Sequence, residues 1–180
     1  MTVNPDGHSR VLYLLVCGAP AASDVHAFVE LAQRSHWEVR VIATPMGARF
    51  VDTAKLEGFT DDRVRVDFRM PHEPDDLPPA DAAVVVPATF NTINKWASGV
   101  ADTFVVGLLC ELAGLRVPIL AVPLVKDALA THPAFGRNLE VLRSMGVRLL
   151  FDPDASEPLG TPSWDRVLDE LHVLAGAPSG

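Results

Sequence analysis

The sequence predicts a three-layer α/β domain in which a parallel sheet of five to six strands is covered by helices on both faces. Three observations predict it. Apolar runs such as "VLYLLVC", "AAVVVPA" and "VPILAVP" lack the polar alternation of a half-exposed strand, so both of their faces must be covered. Between these runs lie segments whose apolar residues recur at helical spacing. At 180 residues, the chain is long enough to close a core without disulfides or metals.

In chain order, "RVLYLLVC" reads as a buried strand over residues 10–17 that ends at Gly18. "ASDVHAFVELAQRS" follows as a helix with Val25, Phe28, Val29 and Ala32 on one stripe, and Ser23 or Asp24 suits its first turn. "WEVRVIAT" is a second strand and "GARFVDTAKLEG" a second helix, closed by Gly58. "RVRVDF" alternates, which predicts a third strand near an edge. Prolines at 71, 74, 78 and 79 exclude a helix from "RMPHEPDDLPPAD" and mark a stiff surface loop. "AAVVVPA" is the next buried strand, and "NTINKWAS" and "ADTFVVGLLCELAG" are helices separated around Gly99. "VPILAVP" is a strand, "AFGRNLEVLRSMG" a helix capped by Gly146, and "VRLLF" a last strand. After the loop "DPDASEPLGTPS", "SWDRVLDELHVLAG" forms a terminal helix with Ser163 as its N-cap. The expected organisation is a disordered tail over 1–9, a single domain over 10–176 and a frayed end over 177–180.

This order of elements is that of a Rossmann-like sheet, in which ligands bind beyond the carboxyl ends of the strands. The loops "CGAPAAS", "ATPMGAR", "PATFNT" and "VPLVKD" each follow a strand and are expected to meet at one crevice. "CGAPAASD" offers small residues leading into a helix, so that backbone N–H groups can approach an anion. It has one glycine where a dinucleotide fingerprint needs three, and no Gly-Lys-Ser/Thr of a P-loop. Thr44 adds a hydroxyl at the second strand's end. Thr89, Asn91 and Thr92 crowd donors and acceptors into four positions, more than helix capping alone requires.

Composition narrows the classes further. A net charge of −8 without any basic run argues against nucleic acid. The two cysteines, Cys17 and Cys110, sit in apolar runs as small core residues, and no Cys/His spacing suggests zinc. The start "MTVNPDGHSR" lacks the features of a signal peptide, and "VLYLLVC" is too short to span a membrane, so a cytoplasmic location is expected.

The segment "PATFNTINKWASGVADT" resembles the P-A-S-A-N-T-x-x-K-x-A-x-G-x-A-D-N segment of the homo-oligomeric flavin-containing cysteine decarboxylases. Pro87, Ala88, Asn91, Thr92, Lys95, Ala97, Gly99, Ala101 and Asp102 match it. "VIATPMGARFV" and "HPAFGRNLEVLRSMGVRLLFDP" are similar to further segments of that family, so the resemblance covers residues 10–153. It implies FMN, with its phosphate at Gly18, Ala19 and Pro20 and near Thr44. Its ring system would lie beside Thr89, Phe90, Asn91 and Thr92. It also implies a homotrimer, or a dodecamer of trimers, with flavin near a subunit interface.

The chain departs from the family at the substrate clasp, P-x-M-N-x-x-M-W. Here it reads "PLVKDALA": Val125 replaces Met, Lys126 replaces Asn, and Leu129 and Ala130 replace Met-Trp. Lys126 can still meet a carboxylate as a point charge. His72 falls near the family's histidine base, with an exposed loop histidine as the competing reading, and His132 is a second candidate. Lys126 and His72 are therefore the catalytic candidates. The expected function is an FMN-binding flavoprotein acting by redox or decarboxylation on a small or peptidyl thiol or carboxylate. The alternatives are a flavin prenyltransferase-like enzyme and a non-catalytic flavin carrier or regulatory subunit.

Overall fold

A computed structural model describes residues 9–74, 77–151 and 163–176. Its centre is a five-stranded parallel sheet of β1 (Arg10–Val16), β2 (Trp37–Ala43), β3 (Ala82–Ala88), β4 (Ile119–Pro123) and β5 (Arg148–Leu149). The strand order is β2-β1-β3-β4-β5, and every neighbouring pair is parallel. Leu14 of β1 pairs with Val41 on one side and Val84 on the other. The direction of winding reverses between β1 and β3, and a crevice opens beyond the carboxyl ends at such a switch point.

The continuous apolar runs have a direct cause. Tyr13, Leu15 and Cys17 face one core, and Leu12, Leu14 and Val16 face the other. The same alternation divides Ala83 and Val85 from Ala82, Val84 and Val86. The first core is covered by α3 (Phe90–Ala97), α4 (Phe104–Gly114) and α6 (Pro133–Ser144), and Trp96 is fully buried within it. The second is covered by α1 (Val25–Arg34), α2 (Thr53–Thr60) and α7 (Trp164–Gly176). Val25, Phe28, Val29 and Ala32 are the buried stripe of α1, as their spacing predicts. The remaining helix, α5 (Asp127–Ala130), is a single turn after β4.

Two elements differ from the sequence expectation. "RVRVDF" is not a strand: Arg65 alone makes an isolated parallel bridge to Ile42, through two hydrogen bonds with Val41 and Ala43. Beyond it the chain leaves the sheet, and Phe68 packs edge-on against Phe104 with ring centroids 5.4 Å apart. Period-2 alternation cannot distinguish a paired strand from an extended crossing segment, since both place successive side chains on opposite sides. The second helix is divided. A short 3-10 turn spans Gly47–Arg49, and α2 begins after Asp52, whose side chain accepts from the Lys55 N–H at 3.0 Å. α2 runs through Gly58 and ends at Asp61, in the left-handed region with φ 52°.

The proline-rich connection is tied to the sheet at its end. The Tyr13 hydroxyl donates to the Pro78 carbonyl at 2.6 Å, and the Val11 N–H donates to Asp81 at 2.7 Å. Gly99, at φ 68°, lies between α3 and α4, as expected. Ser163 accepts from the Arg166 N–H at 3.4 Å, at the start of α7. The tail over 1–8, the loop over 152–162 and the end over 177–180 lie outside the described residues. Among the described residues no helix is long and apolar enough to cross a membrane.

Candidate functional site

The four strand-end loops do meet. They enclose a cavity of about 740 Å³ beyond the carboxyl ends of β1, β2, β3 and β4. Gly18, Ala19, Pro20, Thr44, Thr89, Phe90, Asn91, Thr92 and Lys126 all line it, so every predicted cofactor residue and one of the two catalytic candidates converge there. The volume lies in the range of small-molecule and cofactor sites.

One side of the cavity is set by backbone proximity. A methyl group on Gly18 would stand 2.4 Å from Met46 Cγ and 2.9 Å from its Cβ, so the loops after β1 and β2 touch only because residue 18 has no side chain. At Gly47 a methyl group would meet the Val16 carbonyl oxygen at 2.3 Å. Thr44 holds this turn. Its N–H donates to the Val16 carbonyl at 2.9 Å, and its Oγ1 accepts from the Gly47 N–H at 2.9 Å. Thr44 is thus both a turn residue and a cavity residue. Met46 and Gly47 were not identified by sequence reasoning. The only signal for them was a glycine three residues beyond the second strand's terminal threonine.

The floor is the start of α3. Thr89 is its N-cap, and its hydroxyl oxygen accepts from the Thr92 N–H at 3.4 Å. The hydroxyls of Thr89 and Thr92 are 3.1 Å apart. Asn91 is exposed to the cavity, whereas Thr92 is buried. Phe90 is backed by His132 in an edge contact at 5.7 Å and by Phe135 in a stacked one at 6.0 Å. A 2.6 Å hydrogen bond from buried Asn138 to Asn94 holds α3 against α6. Beneath the floor, Cys17 is fully buried, and burial pushes its thiol above its ordinary value. Hydrogen bonds with the Thr92 side chain and the Thr89 backbone only partly offset that rise.

The remaining wall comes from the loop after β4 and from α4. Val125 and Leu129 are apolar lining, with Thr103 and Val106 behind. Lys126 is exposed and precedes α5, its carbonyl accepting from the Leu129 and Ala130 N–H groups at 2.8 and 2.9 Å. Lys95 also lines the cavity and is ion-paired to Asp102. Among the described residues the lining therefore contains two cationic side chains and no carboxylate, in a chain of net charge −8.

His72 is not brought to this cavity. It sits in an exposed turn at 71–72, where the Met70 N–H donates to Glu73 at 2.8 Å and the Glu73 N–H to the Met70 carbonyl at 2.9 Å. His132 caps α6, its Nδ1 accepting from the Ala134 N–H at 3.1 Å, and reaches the cavity only through Phe90. Cys110 is half-buried on α4 and does not line the cavity. Among the described residues no group of three or more His, Cys, Asp or Glu side chains is placed to hold a metal ion.

Comparison with known proteins adds to this geometry. The model of the Flavoprotein family matches residues 3–175. The chain is 29% identical over 145 residues to the coenzyme A biosynthesis bifunctional protein CoaBC of Bacillus subtilis (strain 168), covering 77% of this chain and 35% of that protein. It is 33% identical over 150 residues to the CoaBC protein of Mycobacterium tuberculosis (strain ATCC 25618 / H37Rv), covering 81% and 34%. The chain thus spans about a third of the length of these curated relatives. Among solved structures, the FMN-dependent cysteine decarboxylase SpaF superposes with a TM-score of 0.72 at 23% identity, covering 94% of this chain and 98% of that one.

Proposed function

The chain belongs to the flavoprotein family, and on that premise we propose that it binds FMN in the cavity and uses it on a small or peptidyl substrate bearing a thiol or a carboxylate. The observation that carries this reading is the convergence of a small-residue loop after β1 with the Thr89–Thr92 floor, in one cavity of cofactor size. The residues present fit the group. Gly18 lets the loops after β1 and β2 close on each other, and among the described residues the cavity lining holds no carboxylate to repel a phosphate. A single glycine and a mononucleotide-sized space suit FMN better than a dinucleotide.

Gly18, Ala19, Pro20 and Thr44 would hold the phosphate end, and Thr89, Phe90, Asn91 and Thr92 the ring system. FMN so bound supplies a two-electron acceptor. Lys126, exposed on the rim, draws an acidic substrate toward the ring by point charge, and its desolvation cost is small there. The half-buried Phe90 ring, held between His132 and Phe135, excludes water from one side of the floor. His72 acts as a base only if a neighbouring subunit presents its cavity to the 71–72 turn. The family reading carries such an arrangement, a homotrimer or a dodecamer of trimers. Phe68 and Met70, 56% and 55% exposed beside His72 in sequence, are the apolar surface that a subunit seam would cover.

A second reading, a flavin carrier without turnover, is favoured by the distance of His72 from the cavity and by the absence of the Asn-bearing clasp. The visible spectrum of the purified protein tests the first claim. Flavin absorbance that is released as FMN on denaturation supports it, and a colourless protein that takes up no added FMN removes it. Anaerobic incubation of the holoprotein with cysteine-containing peptides then separates enzyme from carrier. Bleaching of the flavin with release of carbon dioxide marks turnover, and H72N abolishes it if His72 is the base.

A further inference from the structure

The sheet gives the cavity a direction. Its strand order, β2-β1-β3, sets β2 on the far side of β1 from β3. A ligand with its ring at the Thr89–Thr92 floor and its phosphate at the loop after β1 therefore points its free end at the loop after β2. In doubly wound sheets a dinucleotide takes this course. Its pyrophosphate sits at the first strand-to-helix turn, and an acidic side chain about 20 residues on holds the adenosine ribose.

Here that end of the cavity is closed. The turn after β2 folds back on β1, with the Thr44 N–H donating to the Val16 carbonyl at 2.9 Å. From this turn Met46 leans on Gly18, where a methyl group would stand 2.4 Å from Met46 Cγ. Met46 lines the cavity yet is 51% exposed, so its side chain stands at the rim and not in the core. The turn also offers little to a ligand that would pass it. Pro45 has no N–H, and those of Gly47 and Ala48 already donate to the Thr44 hydroxyl and carbonyl, each at 2.9 Å. No acidic residue falls between Thr44 and Arg49 to take a ribose hydroxyl, and Arg49 does not line the cavity.

We propose that Met46 is a specificity-determining residue for the cofactor: its side chain ends the site at the first phosphate, admitting FMN and rejecting FAD, which is FMN extended by AMP through that phosphate. The inference rests on the FMN reading above and adds the residue that limits the length of the ligand. Such discrimination comes from a clash with the wrong ligand, so Met46 needs no bond to the right one. The sequence marks this loop only by Thr44, and the closure depends on Met46 meeting Gly18 across two strands.

The test is titration of the apoprotein with FMN and, separately, with FAD, read by visible absorbance, with thermal unfolding run alongside. The wild type is expected to bind FMN about a hundredfold tighter than FAD, a clash at the upper end of the cost of overpacking. M46A, which cuts the side chain back to Cβ, is expected to narrow that ratio about tenfold by tightening FAD. M46L, close to Met in volume, is expected to keep the wild-type ratio. The proposal is overturned by a wild type that binds both flavins equally, or by an M46L as permissive as M46A. An unchanged ratio in M46A also overturns it, even if both affinities fall, since Met46 then serves only the loop. Wild-type protein that takes up neither flavin sinks the cofactor reading itself, a result distinct from all of these.

Discussion

The two sides of the cavity are built on different principles. On the β1/β2 side, backbone meets backbone: Val16, Thr44 and Gly47 are joined by hydrogen bonds of 2.9 Å, with no room for a methyl group. On the β4 side, a single-turn helix carries exposed Lys126 and Leu129, and no side-chain hydrogen bond or ion pair of Lys126 occurs among the described residues. The first side tolerates almost nothing, and the second can change with little cost to the fold. On the proposed reading, the rigid side would seat the cofactor, while the loop after β4 would be the side that faces a substrate.

The difference can be broken most severely at Gly47. G47A places a methyl group 2.3 Å from a backbone carbonyl that cannot rotate away, so a loss of about 1–3 kcal/mol in unfolding free energy is expected, with FMN retention falling as the turn opens. Denaturant unfolding and FMN titration measure both. G18A is expected to cost less stability, since the nearest obstacle is the Met46 side chain, and the double variant G18A/M46A should recover part of the loss by removing Cγ while Cβ at 2.9 Å remains. No recovery at all would mean that the β1 loop is constrained by something other than the Met46 side chain beyond Cβ.

N91A is next, with FMN affinity expected to fall about tenfold at unchanged melting temperature, because Asn91 is exposed to the cavity and packs little. K126A should leave FMN affinity within about twofold, while weakening an acidic substrate by an amount that shrinks as salt is added. An equal loss of flavin would erase the distinction between the two sides.

The smallest effect concerns pH. Burial raises the folded-state pKa of Cys17 above its ordinary 9.0. The native state therefore holds its proton more tightly than the unfolded chain does. Its contribution to stability is complete below pH 9.0 and is lost as pH rises toward the folded value. Half-buried Cys110, also raised by burial and by Glu111, adds in the same direction. C17S should flatten the alkaline fall in unfolding free energy relative to wild type.

Much of this was legible in the chain. The buried strands were readable because each alternate residue meets its own core, which leaves an unbroken apolar run. The cavity residues were readable because strand ends in such a sheet converge, and "PATFNT" places hydroxyls and an amide at one of them. "RVRVDF" misled because an alternating segment needs a partner edge, and beyond Arg65 the described segment makes no strand pairing. His72 could not be placed from spacing, since a proline-rich loop fixes local direction without fixing what it approaches.

By itself the sequence determined most of the strands and helices, where the polar groups of a candidate site stand, and that Lys126 departs from the clasp of the family it resembles. Only the tertiary structure decided that Gly47 must lack a side chain, that Met46 closes on Gly18, and that the Thr89 and Thr92 hydroxyls pair at the cavity floor. The physical reason is range. Periodicity and capping are written in neighbours three or four residues apart, whereas contacts between Val16 and Gly47, or Gly18 and Met46, exist only once parallel strands have brought distant strand ends side by side.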